Sequence, residues 1–205
     1  MEVVVSKKPI LKNEFSVSVE SIINLFKLYK VYVFGYGSLM YPLGWLNRGM
    51  REPPRDLTVT DLNGFERGPF GLYDTYNFYG IIRSKGKHLN GVITPIESPG
   101  DYYNLMLSEF VVGLYKWANY RVVDVTKEIK MDLPEHVVVH TVVNRPINRT
   151  KILLSYPAPG YYDEVIREIK NYHNKETINT FLATGGFKSN REVRQYIESN
   201  ITRRS

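Results

Sequence analysis

The chain has 205 residues, 43% hydrophobic and 23% charged, enough to bury a core without staples and ordinary for one globular domain. It contains no cysteine, which excludes disulfides, thiolate metal sites and a cysteine nucleophile together. The net charge of +6 comes from lysines and arginines scattered along the chain, with Arg203-Arg204 the nearest approach to a cluster. That pattern predicts a solvated surface and argues against nucleic acid as the main partner, which would require a basic stripe. No apolar run approaches the ~20 residues of a membrane span, and Met1 to Lys8 lead into no signal-type apolar region. A soluble, cytoplasmic protein without a membrane partner is expected.

In chain order, residues Met1 to Phe15 read as a loosely attached arm of one domain spanning residues 1–205. Ser16 to Lys30 carries Ile22, Leu25, Phe26 and Tyr29 at helical spacing, and Val31 to Phe34 is a buried strand rich in β-branched and ring side chains. The strand breaks into Gly35-Tyr36-Gly37-Ser38, and Tyr41 to Asp56 follows as a Pro- and Gly-rich loop fastened by Trp45 and Leu46. Leu57 to Leu62, Phe78 to Ser84 and His88 to Pro95 read as strands, the last two joined by a Lys85-Gly86-Lys87 hairpin turn. Gly100 to Trp117 reads as a helix opened by Asp101, and Tyr120 to Thr126, Val137 to Val143 and Lys151 to Tyr156 as three more strands.

From Tyr161 the period changes to helix. Val165, Ile166, Ile169 and Tyr172 form one stripe and Ile178, Phe181 and Leu182 a second, and Ser189 to Glu192 has the form of a capping box opening a last helix. The whole reads as an α+β fold: a mixed, mostly antiparallel, barrel-like sheet surrounded by helices, with residues 160–205 forming C-terminal helices.

The glycine turn after the first strand is a candidate cradle, because glycine lets a ligand approach the backbone and its amides. It matches none of three common cradles. Met40 stands where a dinucleotide fingerprint needs a third glycine, no lysine supplies a P-loop, and Tyr36 and Met40 flank Ser38 where a nucleophile elbow needs glycines.

Of the histidines, His136 and His140 are separated by three valines, so they lie on a strand. Four strand residues span ~13 Å, too far for one metal ion, and no metal site is expected.

Glu109 is the one carboxylate between Tyr102 and Gly113. On a helix its neighbours one turn away are Leu105, Met106, Val112 and Gly113, all apolar or small. An inward-facing carboxyl has its pKa raised by burial toward the range useful for proton transfer. The other readings open for it are a surface glutamate, or a core glutamate paired with Arg83 or Arg121.

These residues resemble a known family. Tyr36-Gly37-Ser38-Leu39 at a strand end, followed by a helix with one glutamate, is similar to the γ-glutamylcyclotransferase superfamily, which includes ChaC-like and AIG2-like proteins. The similarity runs on through Gly64-Phe65-Glu66-Arg67 and Leu89-Asn90-Gly91-Val92-Ile93, then Glu109 with Tyr115 after it. It ends in Tyr156-Pro157-Ala158-Pro159 with the Tyr162 helix, and Gly186 to Asn190 is similar to a ChaC-like segment. It covers roughly Tyr32 to Ile169.

The resemblance implies conversion of a γ-glutamyl compound (glutathione, a γ-glutamyl amino acid or a γ-glutamyl amine) to 5-oxoproline and the free amine, with no cofactor. It implies Glu109 as the catalytic general acid and base. The substrate would lie against Tyr36, Gly37, Ser38, Leu39, Tyr115 and Tyr162, with amides of Gly37, Ser38 and Leu39 as donors. The sequence around Glu109, Leu107-Ser108-Glu109-Phe110, departs from the usual family helix and leaves the leaving amine open. An inactive member of the same fold, binding a small molecule or a partner, is the alternative.

Overall fold

A computed structural model describes residues 18–114, 120–144, 151–152 and 154–202. The expected N-terminal arm lies outside the described residues. Helix α1 (Val19–Leu28) starts at Ser18, whose hydroxyl accepts from the Ser21 amide, and it buries Ile22 and Leu25. Strand β1 (Lys30–Gly35) lies in the middle of the sheet, which explains its unbroken apolar run. It pairs antiparallel with β3 (Tyr76–Pro95) and parallel with β5 (Val137–Asn144). The strand order is β2-β3-β1-β5-β4, where β2 is Thr58–Tyr73 and β4 is Tyr120–Asp124.

The sheet curls into a half-barrel with helices around it. The chain after β4 returns to β2 through a bridge between Leu62 and Ile129. Asn63 N–H donates to Glu128 O and Lys130 N–H to Asp61 O, each at 2.9 Å, which ties the two edges together. Phe34, Leu62, Phe65, Ile81, Leu89 and Val139 belong to the core cluster that lies behind this bridge.

Two strand expectations are corrected. Lys85-Gly86-Lys87 does not reverse the chain: Phe78 and Leu89 lie on the one strand β3, which pairs with β2 on both sides of an irregularity opposite Gly64. The chain reverses instead at Asp74-Thr75, where Asp74 takes φ +53°. Because β2 runs on to Tyr73, both halves of β3 find a partner on it, and Gly86 absorbs a bulge. Ile152 is helical rather than extended. Its carbonyl accepts from the Ser155 amide in a turn, and Tyr156–Pro157 (β6) pairs, parallel, with the start of β3.

Helix α3 (Pro99–Leu114) is capped by Ser98, whose hydroxyl accepts from the Asp101 amide at 3.0 Å and donates to the Asp101 carboxylate at 2.8 Å. It buries Tyr102, Leu105 and Met106 against α1 and the sheet. Three C-terminal helices, α4 (Tyr161–Tyr172), α5 (Lys175–Ala183) and α6 (Asn190–Thr202), contribute Tyr162, Val165, Ile169, Phe181, Val193 and Ile197 to a third core.

At the start of α6 the Ser189 hydroxyl accepts from the Glu192 amide, while the Glu192 carboxylate accepts from Lys188 N–H, one residue before the capping-box position. Arg67 clamps this layer to β2. Its buried guanidinium donates to the carbonyls of Asn90 and Phe181 and lies 4.1 Å from the Phe181 ring centre. Burial lowers its pKa to about 10, so it stays charged at neutral pH.

Candidate active site

After β1 the chain passes through extended Tyr36, takes φ +59° at Gly37 and winds through one 3₁₀ turn, Gly37–Met40. The short helix α2 (Pro42–Leu46) opens with proline, already set for a first helical position, and folds back on that turn. Fully buried Trp45 donates from Nε1 to Leu39 O at 2.7 Å. Gly44 lies so close that a Cβ there would stand 1.7 Å from Ser38 O. Arg48, one turn on, donates from Nη1 to Gly44 O and from Nη2 to Ser38 Oγ, both at 2.8 Å. A third support comes from His173 at the end of α4, whose Nε2 donates to Met40 O at 2.6 Å.

This turn forms the common wall of two spaces. The inner one, about 20 Å³, is closed by Val33 and Phe34 of β1, Val142 of β5, and Leu105 and Met106 of α3. It has room for one water molecule. The outer one is an open chamber of about 350 Å³, within the range of small-molecule sites. Its walls are largely aromatic (Tyr41, Phe78, Tyr79, Tyr120, Tyr161), with Arg48 and Glu164 supplying charge. Ser38, Arg48, Tyr79 and Tyr161 line both spaces.

Two of the phenols are held protonated. Burial pushes Tyr79 well above the usual tyrosine range, and burial, then Tyr161 and Glu164, does the same for Tyr41 against the pull of Arg48. Tyr79 is fixed from behind: its hydroxyl accepts from Phe187 N–H at 2.7 Å and donates to Phe187 O at 3.2 Å.

The structure brings together most, though not all, of the residues that the sequence suggests. Tyr36 lines the inner space, its hydroxyl donating to Val142 O at 2.7 Å, and Gly37, Ser38 and Leu39 form the turn. Leu39 does not offer its amide, because that N–H donates to Tyr36 O at 3.2 Å within the turn. Gly37 and Ser38 open the turn, where the first N–H groups have no intrahelical acceptor.

Glu109 lies in α3 three residues after Met106 and four after Leu105, the two residues of that helix that line the inner space. Its backbone is described and its side chain is not. Tyr115 lies outside the described residues. Of the two ion-pair partners suggested for Glu109, Arg83 pairs with Glu128 at 3.2 Å.

Tyr162 is a core residue and not a wall of either space. It is fully buried, donates to Asn77 Oδ1 at 2.8 Å, and packs 4.7 Å from the Tyr79 ring. Its neighbour Tyr161 takes the wall position. The signal for this was in the sequence: Tyr162 precedes Val165 and Ile166 by three and four, so it extends their buried stripe. Arg48, Tyr79 and Glu164 belong to no local pattern that marks them, since three distant segments meet only after folding.

Among the described residues no three of His, Asp and Glu converge to hold a metal ion. His136 lies in a turn at φ +57°, and His140 in β5 shares a 2.6 Å hydrogen bond with the buried hydroxyl of Tyr102.

No family model and no curated protein matches the sequence. Solved structures do match the fold. One described as a γ-glutamyl cyclotransferase superposes with a TM-score of 0.55 at 17% identity, over 85% of this chain and 99% of that one. An uncharacterised protein from Homo sapiens gives 0.53 at 18% identity, over 83% and 97%. YkqA from Bacillus subtilis gives 0.55 at 17%, over 82% of this chain and 60% of its own. The likeness is one of fold.

Proposed function

We propose that the protein is a γ-glutamylcyclotransferase-type enzyme, releasing 5-oxoproline and a free amine from a γ-glutamyl compound. One observation carries this reading. The Tyr36–Leu39 turn and the Leu105–Met106 face of α3 close on one small space, and Glu109 follows on that face one helical turn later.

The reaction is intramolecular. The α-amine nitrogen attacks the γ-carbonyl carbon, a five-membered ring closes, and the bond to the departing nitrogen breaks. Nucleophile and electrophile share one molecule, so the protein's work is to fold the substrate and move protons. Glu109 takes a proton from the α-ammonium and delivers one to the departing nitrogen, so a single carboxyl serves both steps. The Gly37 and Ser38 amides stabilise the oxyanion that develops on the carbonyl oxygen. The outer chamber receives the leaving amine.

The test is release of 5-oxoproline from glutathione and a panel of γ-glutamyl amino acids and amines, measured for wild type and Glu109→Gln. At least one substrate turns over, and the variant loses ~10² to 10⁴ in rate, the usual contribution of a general acid–base. Full activity in Glu109→Gln moves the base elsewhere. Ligand-dependent thermal stabilisation without any 5-oxoproline identifies a binding protein of this fold.

A further inference from the structure

Among the described residues lining the two spaces, Arg48 is the one cation and Glu164 the one carboxylate. Arg48 belongs to both spaces and Glu164 only to the outer chamber, so the positive charge lies at the junction and the negative charge outside it. The guanidinium is oriented before any ligand arrives, because Nη1 is held by Gly44 O and Nη2 by Ser38 Oγ. Those two acceptors belong to the turn and to the helix packed on it, which fixes the plane of the fork against the cradle.

A γ-glutamyl head carries an α-carboxylate, and a carboxylate moved from water into a chamber walled by aromatic rings is costly unless a cation meets it. A planar guanidinium matches a carboxylate with two parallel hydrogen bonds, which a lysine cannot do.

We propose that Arg48 is the residue that binds the α-carboxylate of the substrate's γ-glutamyl head. With the carboxylate at the junction, the attacking α-amine, on the adjacent carbon, is directed to the inner space and to the face of α3 that carries Glu109. The leaving amine is then on the side of the aromatic chamber. Arg48 thus selects for a free α-carboxylate and sets which end of the substrate enters. This inference rests on the reading of the site as a cyclotransferase.

The experiment compares two compounds that differ at one group: a γ-glutamyl amide with its free α-carboxylate, and the same compound with an α-carboxamide. For each protein the quantity read is the ratio of kcat/KM, and in parallel the ratio of calorimetric Kd values. Both ratios are independent of the fraction of protein folded.

Wild type favours the carboxylate by about 10- to 100-fold, the range of a hydrogen-bonded charged group. In Arg48→Gln the preference collapses to within about threefold, and Arg48→Lys, which keeps the charge but not the fork, retains an intermediate ratio. An undiminished preference in Arg48→Gln overturns the assignment. So does a loss that falls equally on both compounds, which is what a purely structural arginine produces. If Arg48→Gln does not fold, Arg48→Lys decides, and a wild-type ratio there overturns the anchor.

Carboxylate-dependent binding without 5-oxoproline sinks the cyclotransferase reading and leaves the anchor standing. Turnover with an unchanged ratio does the reverse. A wild type that binds neither compound overturns both.

Discussion

The segment from Tyr36 to Arg48 and the middle of the β2–β3 hairpin both carry glycines where the sequence suggests a turn, and the two regions use them differently. Around Gly44 the chain is packed on itself: a Cβ would stand 1.7 Å from Ser38 O and 2.6 Å from the carbonyl carbon. Around Gly86 nothing lies within 4 Å, and the residue serves only to take φ +76° in a solvent-exposed bulge. At Gly44 glycine is required for space, at Gly86 for a backbone angle. The difference separates a segment that must hold a fixed shape from one that merely has to continue the strand.

The same substitution at both places breaks the comparison if it is mistaken. Gly44→Ala should cost about 3 kcal/mol or more, at the upper end of overpacking, because the obstructing atom is backbone and cannot rotate away. Thermal unfolding should show a midpoint lower by roughly 10 °C for a chain of this size. A variant as stable as wild type would mean that α2 does not press on the turn.

A second, somewhat smaller effect sharpens the contrast by probing the buried polar pair under the site. Burial lowers the His140 pKa from 6.5 to about 4, with Asp124 opposing it. A group whose folded pKa is depressed in this way binds its proton first in the unfolded chain. Its contribution to stability is therefore intact above pH 6.5 and is lost progressively as pH falls from 6.5 toward 4, by on the order of 3 kcal/mol. Denaturant unfolding between those pH values should show this slope, and His140→Gln, which keeps an acceptor for the Tyr102 hydroxyl but does not titrate, should flatten it. An unchanged slope would assign the pH dependence to the carboxylates.

The smallest effect belongs to the β2–β3 hairpin. Gly86→Ala should cost only about 1 kcal/mol, the strain of a side chain in the left-handed region, and leave the proposed activity untouched. A loss comparable to Gly44→Ala would show that the bulge is packed in solution.

What could be read from the sequence follows the same division. Val31 to Phe34, the turn after it, the α3 pattern and the two C-terminal stripes are local signals, and the structure places elements at each. The Lys85-Gly86-Lys87 signal does not decide where the chain reverses, because that depends on how far β2 extends, which is a property of the partner strand. Ile152 reads as extended because apolar content alone does not distinguish a strand from a short helical turn closed by Ser155. Tyr161 and Tyr162 are adjacent, and a step of about 100° along α4 sends one to the chamber wall and the other into the core. Arg48 carried no signal, since its role depends on acceptors supplied by Ser38 and Gly44 after folding.

The central place of β1 has a consequence for how the protein is made. Lys30 to Val33 pair with Val137 to His140, and Tyr32 to Gly35 with Val92 to Pro95, so β1 is synthesised well before either neighbour. At ordinary translation speeds Val137 follows Lys30 by on the order of 5 to 20 s. Until Val92 to Pro95 follow, Val31 to Phe34 is an apolar, β-prone segment with no partner, the kind of stretch on which chains aggregate, and until Val137 to His140 follow it has one of its two partners. Only the charges of Lys27 and Lys30 on its N-terminal side interrupt that tendency. The strand that carries the cradle must therefore wait for its neighbours, and nascent chains that stall before β5 is made present a natural target for a chaperone.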